Sequence, residues 1–320
     1  MKNLITTLFT LMLFSSAFGQ TDDSVMDSIS LTNVTVTSGV IDVAKERETP
    51  FAVSNISVRD ISLKIGNLEF PEIMNKTPGV YATKGSGGYG DAFMYLRGFS
   101  QLNTAFLING QPVNDMENGR VFWSNWAGLV DVASGIQIQR GLGSTSMAVP
   151  SVGGTVSIFT KTTEVPEGGS MQQLIGNDGY SKSTFVYNTG VNDSGWSSSF
   201  LLTKWKGDGY VYNTKGEGTT YYFGVGYDPI GSDHSFNFSI LGAGQWHHQR
   251  DVWVSVRDYQ NFGEEGVDRR WNSNGGTLNG EEWSFRRNFY NKPLATFNWD
   301  WEVSSNVTVN TSLYGSAGRG

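Results

Sequence analysis

The chain has 320 residues, a formal net charge of −7 and no cysteine. The negative charge argues against a general nucleic-acid-binding protein, and the missing cysteines exclude a disulfide framework and a cysteine-linked lipid anchor. Glycine is abundant, with 40 residues, and aromatic residues make up 13%, so the composition favours strands and turns over helices.

The N-terminus predicts a cleaved signal peptide over residues 1–19 and therefore export. Lys2 is followed by an apolar stretch, and Ala17 and Gly19 are the small residues expected before a cleavage point at Gln20. No later stretch approaches the roughly twenty apolar residues of a membrane-spanning helix, so none is predicted there.

Residues 20–48 are polar and acidic, which predicts a flexible tail. Within them, residues 31–38 form a short β-prone island, LTNVTVTS. An extended segment of this kind can pair with an exposed sheet edge of another protein. The residues alone leave open the alternative of a disordered linker with incidental valines.

Residues 49–163 are expected to form a small α+β unit. A strand is predicted over 54–60, followed by a short helix over 61–75. Asn109-Gly110 is a strong tight-turn signal between two strands, and residues 129–134 fit a helical turn. Further short strands are predicted over 80–83, 92–97, 104–108, 136–140 and 155–160.

Three glycine-containing pairs stand beside these strands: Arg97-Gly98, Arg140-Gly141 and Gly153-Gly154. We expect each guanidinium to be buried and paired with a carboxylate, because a buried charge without a partner is costly. The adjacent glycines at 153 and 154 predict tight packing of the backbone.

Two loops of this unit suggest ligand contacts. Residues 85–90 match G-x-G-x-x-G, but a strand rather than a helix follows, so we expect a loop that approaches a ligand closely and not a nucleotide site. The loop over 113–126 combines aromatic and charged residues, which suits small-molecule recognition. Packing of this loop against a neighbouring sheet is the alternative.

Residues 164–320 alternate apolar and polar side chains in segments of about ten residues, the pattern of a strand that crosses a bilayer. Phe297 and Trp299, for example, alternate with polar neighbours. Barrels of outer membranes have short periplasmic turns and longer external loops, so 207–218 and 247–290 are expected outside the cell. The predicted strands are 168–176, 180–190, 196–206, 219–228, 234–246, 291–303 and 306–316.

Seven strands cannot close a barrel that has an even number of strands, so we expect the chain to be a fragment of a longer protein. No catalytic constellation stands out, because only three histidines are present and no nucleophile elbow occurs. His247 and His248 are adjacent and would point to opposite faces of a strand. We therefore expect neither a metal site nor an enzyme.

Taken in order, these segments resemble a TonB-dependent outer-membrane receptor. The resemblance is carried by LRGF at 96–99, LINGQP at 107–112, IQIQRG at 136–141 and SVGGTVSIFTK at 151–161, placed between a signal peptide and barrel strands. It covers nearly the whole chain and is most specific in 78–161. It implies a mainly β protein of the cell outer membrane, with a small α+β plug domain inside an antiparallel barrel of about 22 strands.

The resemblance also implies a function and partners. The protein would transport a large scarce nutrient, such as a ferric siderophore, cobalamin, a haem-type ligand or an oligosaccharide, without a bound cofactor. The periplasmic protein TonB would pair with a TonB box, which the match places at Val34, Thr35, Val36, Thr37 and Ser38. Two other functions are the alternatives to energised transport. One is an adhesin that uses the same barrel without transport. The other is a membrane-embedded hydrolase, which would need a cluster of catalytic residues that is not visible in this sequence.

By the same match, the outward plug loops would be 84–90, 99–104 and 114–126. Ligand contacts are expected on or beside these loops from Tyr89, Asp91, Gln101, Asn103, Asp115, Glu117, Arg120, Trp123 and Trp126.

Overall fold

The computed structural model describes residues 52–57, 60–61, 68–85, 89, 92–141, 151–250, 253–263 and 266–320. The predicted signal peptide, the acidic tail, the TonB box at 34–38 and Asp91 lie outside the described residues. Of the helices in the described ranges, none is both long and apolar enough to cross a membrane.

The N-terminal unit is built on two small sheets. The larger contains β1 (Ala52–Ser57), β5 (Thr104–Ile108), β6 (Gln111–Pro112), β7 (Gly135–Arg140) and β8 (Gly154–Phe159), in the order β1-β7-β8-β5-β6. The smaller contains β2 (Val80–Lys84), β3 (Ala92–Leu96) and β4 (Phe99–Ser100). The described part of the unit also contains helices α1 (Phe70–Ile73) and α2 (Leu129–Val132), and 3-10 turns at Met74–Lys76, Gln101–Asn103, Trp123–Trp126 and Thr162–Glu164.

The core of this unit lies around the only parallel pair among its described strands, β5 and β8. Every residue of both strands is buried, as expected for strands covered on both faces. Trp123 is 1% exposed. Its ring stacks on Phe70 at 5.2 Å and meets Phe106 edge-on at 5.0 Å. The α+β fold predicted for this unit is therefore confirmed, with Trp123 inside its core.

Within the range 61–75 predicted as a helix, Ile61 is helical, residues 62–67 lie outside the described residues, and helix α1 begins at Phe70. Pro71 stands at its first turn, where the missing N–H costs nothing, whereas a helix running through it would lose a hydrogen bond. Glu69 and Glu72 cap this start reciprocally, and the Glu69 N–H donates to Glu72 Oε2 at 2.9 Å.

Two tight turns in the N-terminal unit have positive φ at both central residues. Asn109 (φ 49°) and Gly110 (φ 81°) join β5 to β6, which confirms the predicted turn. Arg97 (φ 54°) and Gly98 (φ 83°) join β3 to β4 in the same way. Here the prediction was wrong: Arg97 is exposed at this turn and not buried.

Arg140 also departs from the expected buried ion pair. It is half-buried, and its Nη1 donates to the Pro78 carbonyl oxygen at 3.2 Å. No carboxylate among the described residues forms an ion pair with Arg97 or Arg140. Backbone carbonyls and water can satisfy a guanidinium as well as a carboxylate does, so the residue type alone could not decide the partner.

The C-terminal part is an antiparallel sheet in the order β18-β17-β13-β12-β11-β10-β9. The strands are β9 (Gly168–Ile175), β10 (Ser181–Asn188), β11 (Trp196–Gly207), β12 (Gly216–Tyr227), β13 (His234–His248), β17 (Leu294–Ser304) and β18 (Val307–Ser316). All seven predicted strands are confirmed. Strand β12 starts three residues earlier than predicted, because Gly216 and Gly218 carry no side chain and hide the alternation.

The long connection between β13 and β17 has structure of its own. It contains helix α3 (Val256–Asn261), the hairpin of β14 (Gly275–Leu278) and β15 (Glu281–Ser284), and β16 (Arg287–Tyr290), which pairs with the end of β13. The segment over 247–290, which was predicted as an external loop, therefore contains strands β14, β15 and β16. Its first two residues belong to strand β13, which continues to His248.

Candidate functional site

The two faces of the barrel sheet differ sharply in chemistry. On β11, odd-numbered residues are buried and even-numbered ones are mostly exposed. The buried face carries small polar side chains, such as Ser197 and Thr203, and it contacts the N-terminal unit. The other face carries apolar residues such as Phe200 and Leu202. We name these the inner and outer faces, and the N-terminal unit is a plug against the inner face.

One plug–barrel contact is the turn at Asn109. The Asn109 Nδ2 donates to Thr160 Oγ1 at 2.8 Å, and its own carbonyl accepts from Asn298 Nδ2 at 3.0 Å. Nearby, the Tyr222 hydroxyl donates to the Thr160 carbonyl at 2.7 Å. These buried hydrogen bonds link particular plug residues to particular barrel residues, so docking of the plug is specific in register.

Two ion pairs also cross this seam. Lys161 Nζ lies 3.0 Å from Asp300 Oδ2, and Lys182 Nζ lies 3.3 Å from Asp131 Oδ2. The Asp131 and Lys182 side chains are only 6% and 11% exposed. Burial raises the pKa of the Asp131 carboxyl, and the nearby Lys182 ammonium opposes that rise. The pair therefore joins helix α2 of the plug to strand β10 of the barrel.

We expect Lys182→Met to destabilise plug docking by about 2 kcal/mol, somewhat less than the roughly 3–5 kcal/mol for breaking a fully buried pair, because this pair borders a cavity. The substitution keeps the stem and leaves the Asp131 carboxylate without its cation. Urea unfolding of the plug in the purified full-length protein measures the loss. Since the folded-state pKa of Asp131 is raised, the loss should be largest above that pKa and shrink as the pH falls through it.

Lys204→Met is the matched control, because Lys204 is exposed on the outer face of the neighbouring strand. Adding Asp131→Asn to Lys182→Met should recover part of the lost stability, because the double variant has no unpaired buried carboxylate at position 131. Equal stability of Lys182→Met and Lys204→Met would contradict the assigned role of the pair.

A cavity of about 360 Å³ opens beside this ion pair, between the plug and the first barrel strands. Tyr89 lines it and packs against the barrel: its ring lies 5.1 Å from Trp205 and 6.0 Å from Tyr180. The Gly209 N–H donates to the Tyr89 hydroxyl at 3.1 Å. Burial raises the pKa of Tyr89, so this hydroxyl stays neutral and acts here as a docking group.

A second cavity, of about 220 Å³, lies between the plug loop over 113–126 and strand β16. We name it the loop cavity. Three of the residues predicted to contact ligand line it: Asp115, Arg120 and Trp126. The barrel contributes Asn288, Tyr290 and Lys292.

The side chains of the loop cavity are held in place by the loop itself. Asp115 Oδ1 accepts from the backbone N–H groups of Glu117 and Asn118 at 2.8 and 3.1 Å, which closes the loop. The Arg120 guanidinium lies 5.6 Å from the ring centres of both Phe93 and Phe122. Both rings lie within the roughly 6 Å range of a cation–π interaction, and the guanidinium N–H groups remain able to bind a ligand.

The other predicted ligand residues have different places. Gln101 and Trp123 are 4% and 1% exposed, and Trp123 Nε1 donates to Gln101 Oε1 at 3.1 Å, so this structure buries both in the plug. Trp126 lines the loop cavity but is only 3% exposed. Asn103 and Glu117 are exposed.

The barrel residues of the loop cavity were missed from the sequence. Asn288, Tyr290 and Lys292 occupy every second position, so they share one face of an extended segment. That spacing was a usable signal. The sequence could not show which face is the inner one or that the plug loop would lie opposite.

Comparison with known proteins agrees with this architecture. Residues 45–155 match the family model described as TonB-dependent Receptor Plug Domain. The chain is 24% identical over 263 residues to the Vitamin B12 transporter BtuB of Vibrio vulnificus strain YJ016, across 77% of this chain and 39% of the relative. It is 21% identical over 114 residues to the BtuB of strain CMCP6, across 36% and 18%.

Solved structures share the fold. The ferric citrate transporter FecA in its unliganded form aligns with a TM-score of 0.64 and 20% identity, over 86% of this chain and 41% of that one. The ferripyoverdine receptor of Pseudomonas aeruginosa aligns with a TM-score of 0.63 and 14% identity, over 97% and 41%. The chain therefore spans less than half the length of the relatives it matches.

Proposed function

We propose that this chain, which belongs to the TonB-dependent outer-membrane receptors, is the plug and first barrel segment of a transporter that imports a large scarce nutrient with energy supplied through TonB. The observation that supports this most directly is the docking of the plug on the inner face of the barrel sheet. A pore filled in this way conducts only when the plug moves.

The plug–barrel seam supports an energised mechanism. It is made of hydrogen bonds between small polar residues and of two largely buried ion pairs, Asp131–Lys182 and Lys161–Asp300. Groups of this kind can be rehydrated when they separate, unlike a packed apolar core. Such a seam is stable at rest and yields to a pull on the N-terminal segment, where the TonB box at 34–38 is predicted.

The loop cavity is the proposed contact for one end of the nutrient. At about 220 Å³ it is smaller than the roughly 300–1,000 Å³ of ordinary ligand sites, so it would hold only part of a large molecule. Two cations, Arg120 and Lys292, line it against one carboxylate, Asp115, which already accepts two backbone hydrogen bonds. The cavity therefore favours a ligand group that carries negative charge, such as a carboxylate.

Relatives named for vitamin B12, ferric citrate and ferripyoverdine define the panel for testing the proposal. Cells that carry the full-length gene should bind one class of ligand and import it, in a panel of ferric chelates, cobalamin and oligosaccharides. A protonophore should stop import and leave surface binding unchanged. Import that resists the protonophore would favour a passive pore, and binding without any import would favour an adhesin.

We expect Arg120→Ala to weaken binding of that ligand by about tenfold or more, the effect of losing a charge-assisted hydrogen bond. The plug should stay folded, because Arg120 is exposed. Binding is measured on purified full-length protein. Arg257→Ala, which removes an exposed cation from helix α3, serves as the control. Equal affinity of both variants and the parent would remove the loop cavity from the proposed site.

A further inference from the structure

The histidine that ends strand β13 lies between two cations. In the strand register, His248 lies opposite Arg287 of β16. On its other side, the His248 N–H donates to the Lys215 carbonyl oxygen at 2.9 Å, next to the pair of Gly216 and His247. Residues opposite each other on antiparallel strands present their side chains on one face. Lys215, His248 and Arg287 therefore form a row across three segments, which we name the basic row.

The imidazole in the middle of the basic row is buried. His248 is 5% exposed, and its ring centre lies 5.5 Å from that of Trp246. Its Nδ1 is buried without a hydrogen-bond partner among the described residues. Burial lowers the pKa of His248 most, the Arg287 and Lys215 charges lower it further, and His247 has a smaller effect in the same direction. The neutral imidazole is therefore the favoured form here.

The carboxylates near the basic row already have partners. Glu282 of β15 favours the charged imidazole, but its Oε2 lies 3.5 Å from Lys215 Nζ. Glu217 of β12 accepts a hydrogen bond from Trp246 Nε1 at 2.9 Å. A protonated His248 would therefore stand beside two cations. Like charges directly opposite one another destabilise a sheet.

The same two cations attach the hairpin of β14 and β15. Lys215 pairs with Glu282, and the Arg287 guanidinium lies 3.5 Å from the Trp283 ring centre. Both partners stand on β15, so an ion pair and a cation–π contact hold the hairpin to the basic row. Repulsion within the row acts directly on these two contacts.

Strand β16 connects the basic row to the loop cavity. It pairs with β13 over four residue pairs, and the last of them joins His248 to Arg287. Asn288 and Tyr290 of the same strand line the loop cavity. Loss of the His248–Arg287 pair would therefore fray β16 from its end towards these two residues.

We propose that His248 is a pH-sensing residue whose protonation releases the hairpin of β14 and β15, and with it the start of β16, from the end of β13. The docked form holds fewer protons than the released form. Docking is therefore complete above the pKa of a free histidine, about 6.5, and weakens as the pH falls below it. The effect on nutrient binding rests on the proposed function, whereas release of the hairpin does not.

A spin label on the hairpin measures its release in the purified full-length protein. The chain has no cysteine, so Leu278→Cys gives a single labelling site once any cysteine beyond residue 320 is replaced by serine. Leu278 is exposed at the end of β14 and lies opposite Glu281, on the other face of the hairpin from Glu282. Paramagnetic resonance should show a constrained label above about pH 6.5 and a mobile one below it. The docked-to-released ratio should fall by up to about tenfold per pH unit, the limit for one proton.

Three variants of the labelled protein separate His248 from other causes. His248→Gln cannot be protonated and should keep the hairpin docked over the whole range, whereas His248→Lys should release it even at about pH 8. His234→Gln removes the histidine at the other end of β13 and should keep the parent transition. An equal transition in His248→Gln, or none in the parent, would overturn the proposal. If His248→Gln fails to assemble, His248→Phe makes the same comparison.

Nutrient binding is measured over the same pH range, with the ferric chelate, cobalamin or oligosaccharide that the transport panel identifies. Its affinity should fall as the hairpin is released, by up to the same factor per pH unit. A constant affinity would overturn the link between the basic row and the loop cavity. The label detects release without any nutrient, so a failure of the proposed transport leaves this result readable.

Discussion

Deletion of residues 34–38 is expected to reduce nutrient import to the level of cells without the gene, while surface binding of the ligand stays unchanged. The segment is proposed to add as a strand to an exposed sheet edge of TonB, and that pairing depends on backbone hydrogen bonds. Under the proposed mechanism no force would then reach the plug, and the seam of hydrogen bonds and ion pairs would keep the pore closed.

A point substitution separates strand pairing from a simple effect of chain length. Val36→Pro removes one backbone N–H and fixes φ, so it should block pairing in the middle of the segment. Val36→Thr keeps the N–H and the β-branched shape and should retain import. Import by the proline variant at the parent rate would show that these residues do not transmit the force.

Gly154→Val is expected to destabilise the plug by about 4 kcal/mol or more, from backbone strain and overpacking together. Gly154 has φ 142°, a conformation that side chains other than glycine rarely adopt. A Cβ at this position would lie on the carbonyl oxygen of Gln139 and against the side chain of Leu96. Strands β7 and β8 would have to separate at the centre of the plug sheet.

Limited proteolysis and urea unfolding of the purified full-length protein measure this loss. Gly98→Ala is the control, because Gly98 also has a positive φ, of 83°, but no atom of the described residues lies within 4 Å of the position that a Cβ would occupy there. That variant should lose only about 1 kcal/mol, the cost of a left-handed alanine. A similar small loss in Gly154→Val would show that the collision is relieved by local movement.

Local patterns were sufficient for the barrel strands and for several turns. The alternation at Phe297 and Trp299 required only that neighbouring side chains of a strand point to opposite faces. Asn109-Gly110 required only that both residues tolerate positive φ. The glycine pair at 153 and 154 was also interpreted correctly, since a Cβ at Gly153 would lie 2.9 Å from Thr104 Oγ1.

The candidate site was less predictable. Of the aromatic residues in the loop over 113–126, Trp123 is part of the plug core, and Trp126 is nearly as buried. A tryptophan that stacks on a ligand and one that stacks on Phe70 have the same sequence context. The burial of Gln101 depends likewise on its hydrogen bonds to Val121 and Trp123, which are twenty or more residues away.

The sequence by itself determined the seven long barrel strands, which face of each of them is apolar, and the tight turn at Asn109-Gly110. These properties depend on backbone geometry within a few residues. Only the tertiary structure decided which plug residue meets which strand: Asp131 with Lys182, Asn109 with Asn298, and the loop of Arg120 with Tyr290. Such pairs are set by strand register and by the packing of distant segments, and neither is encoded in local spacing.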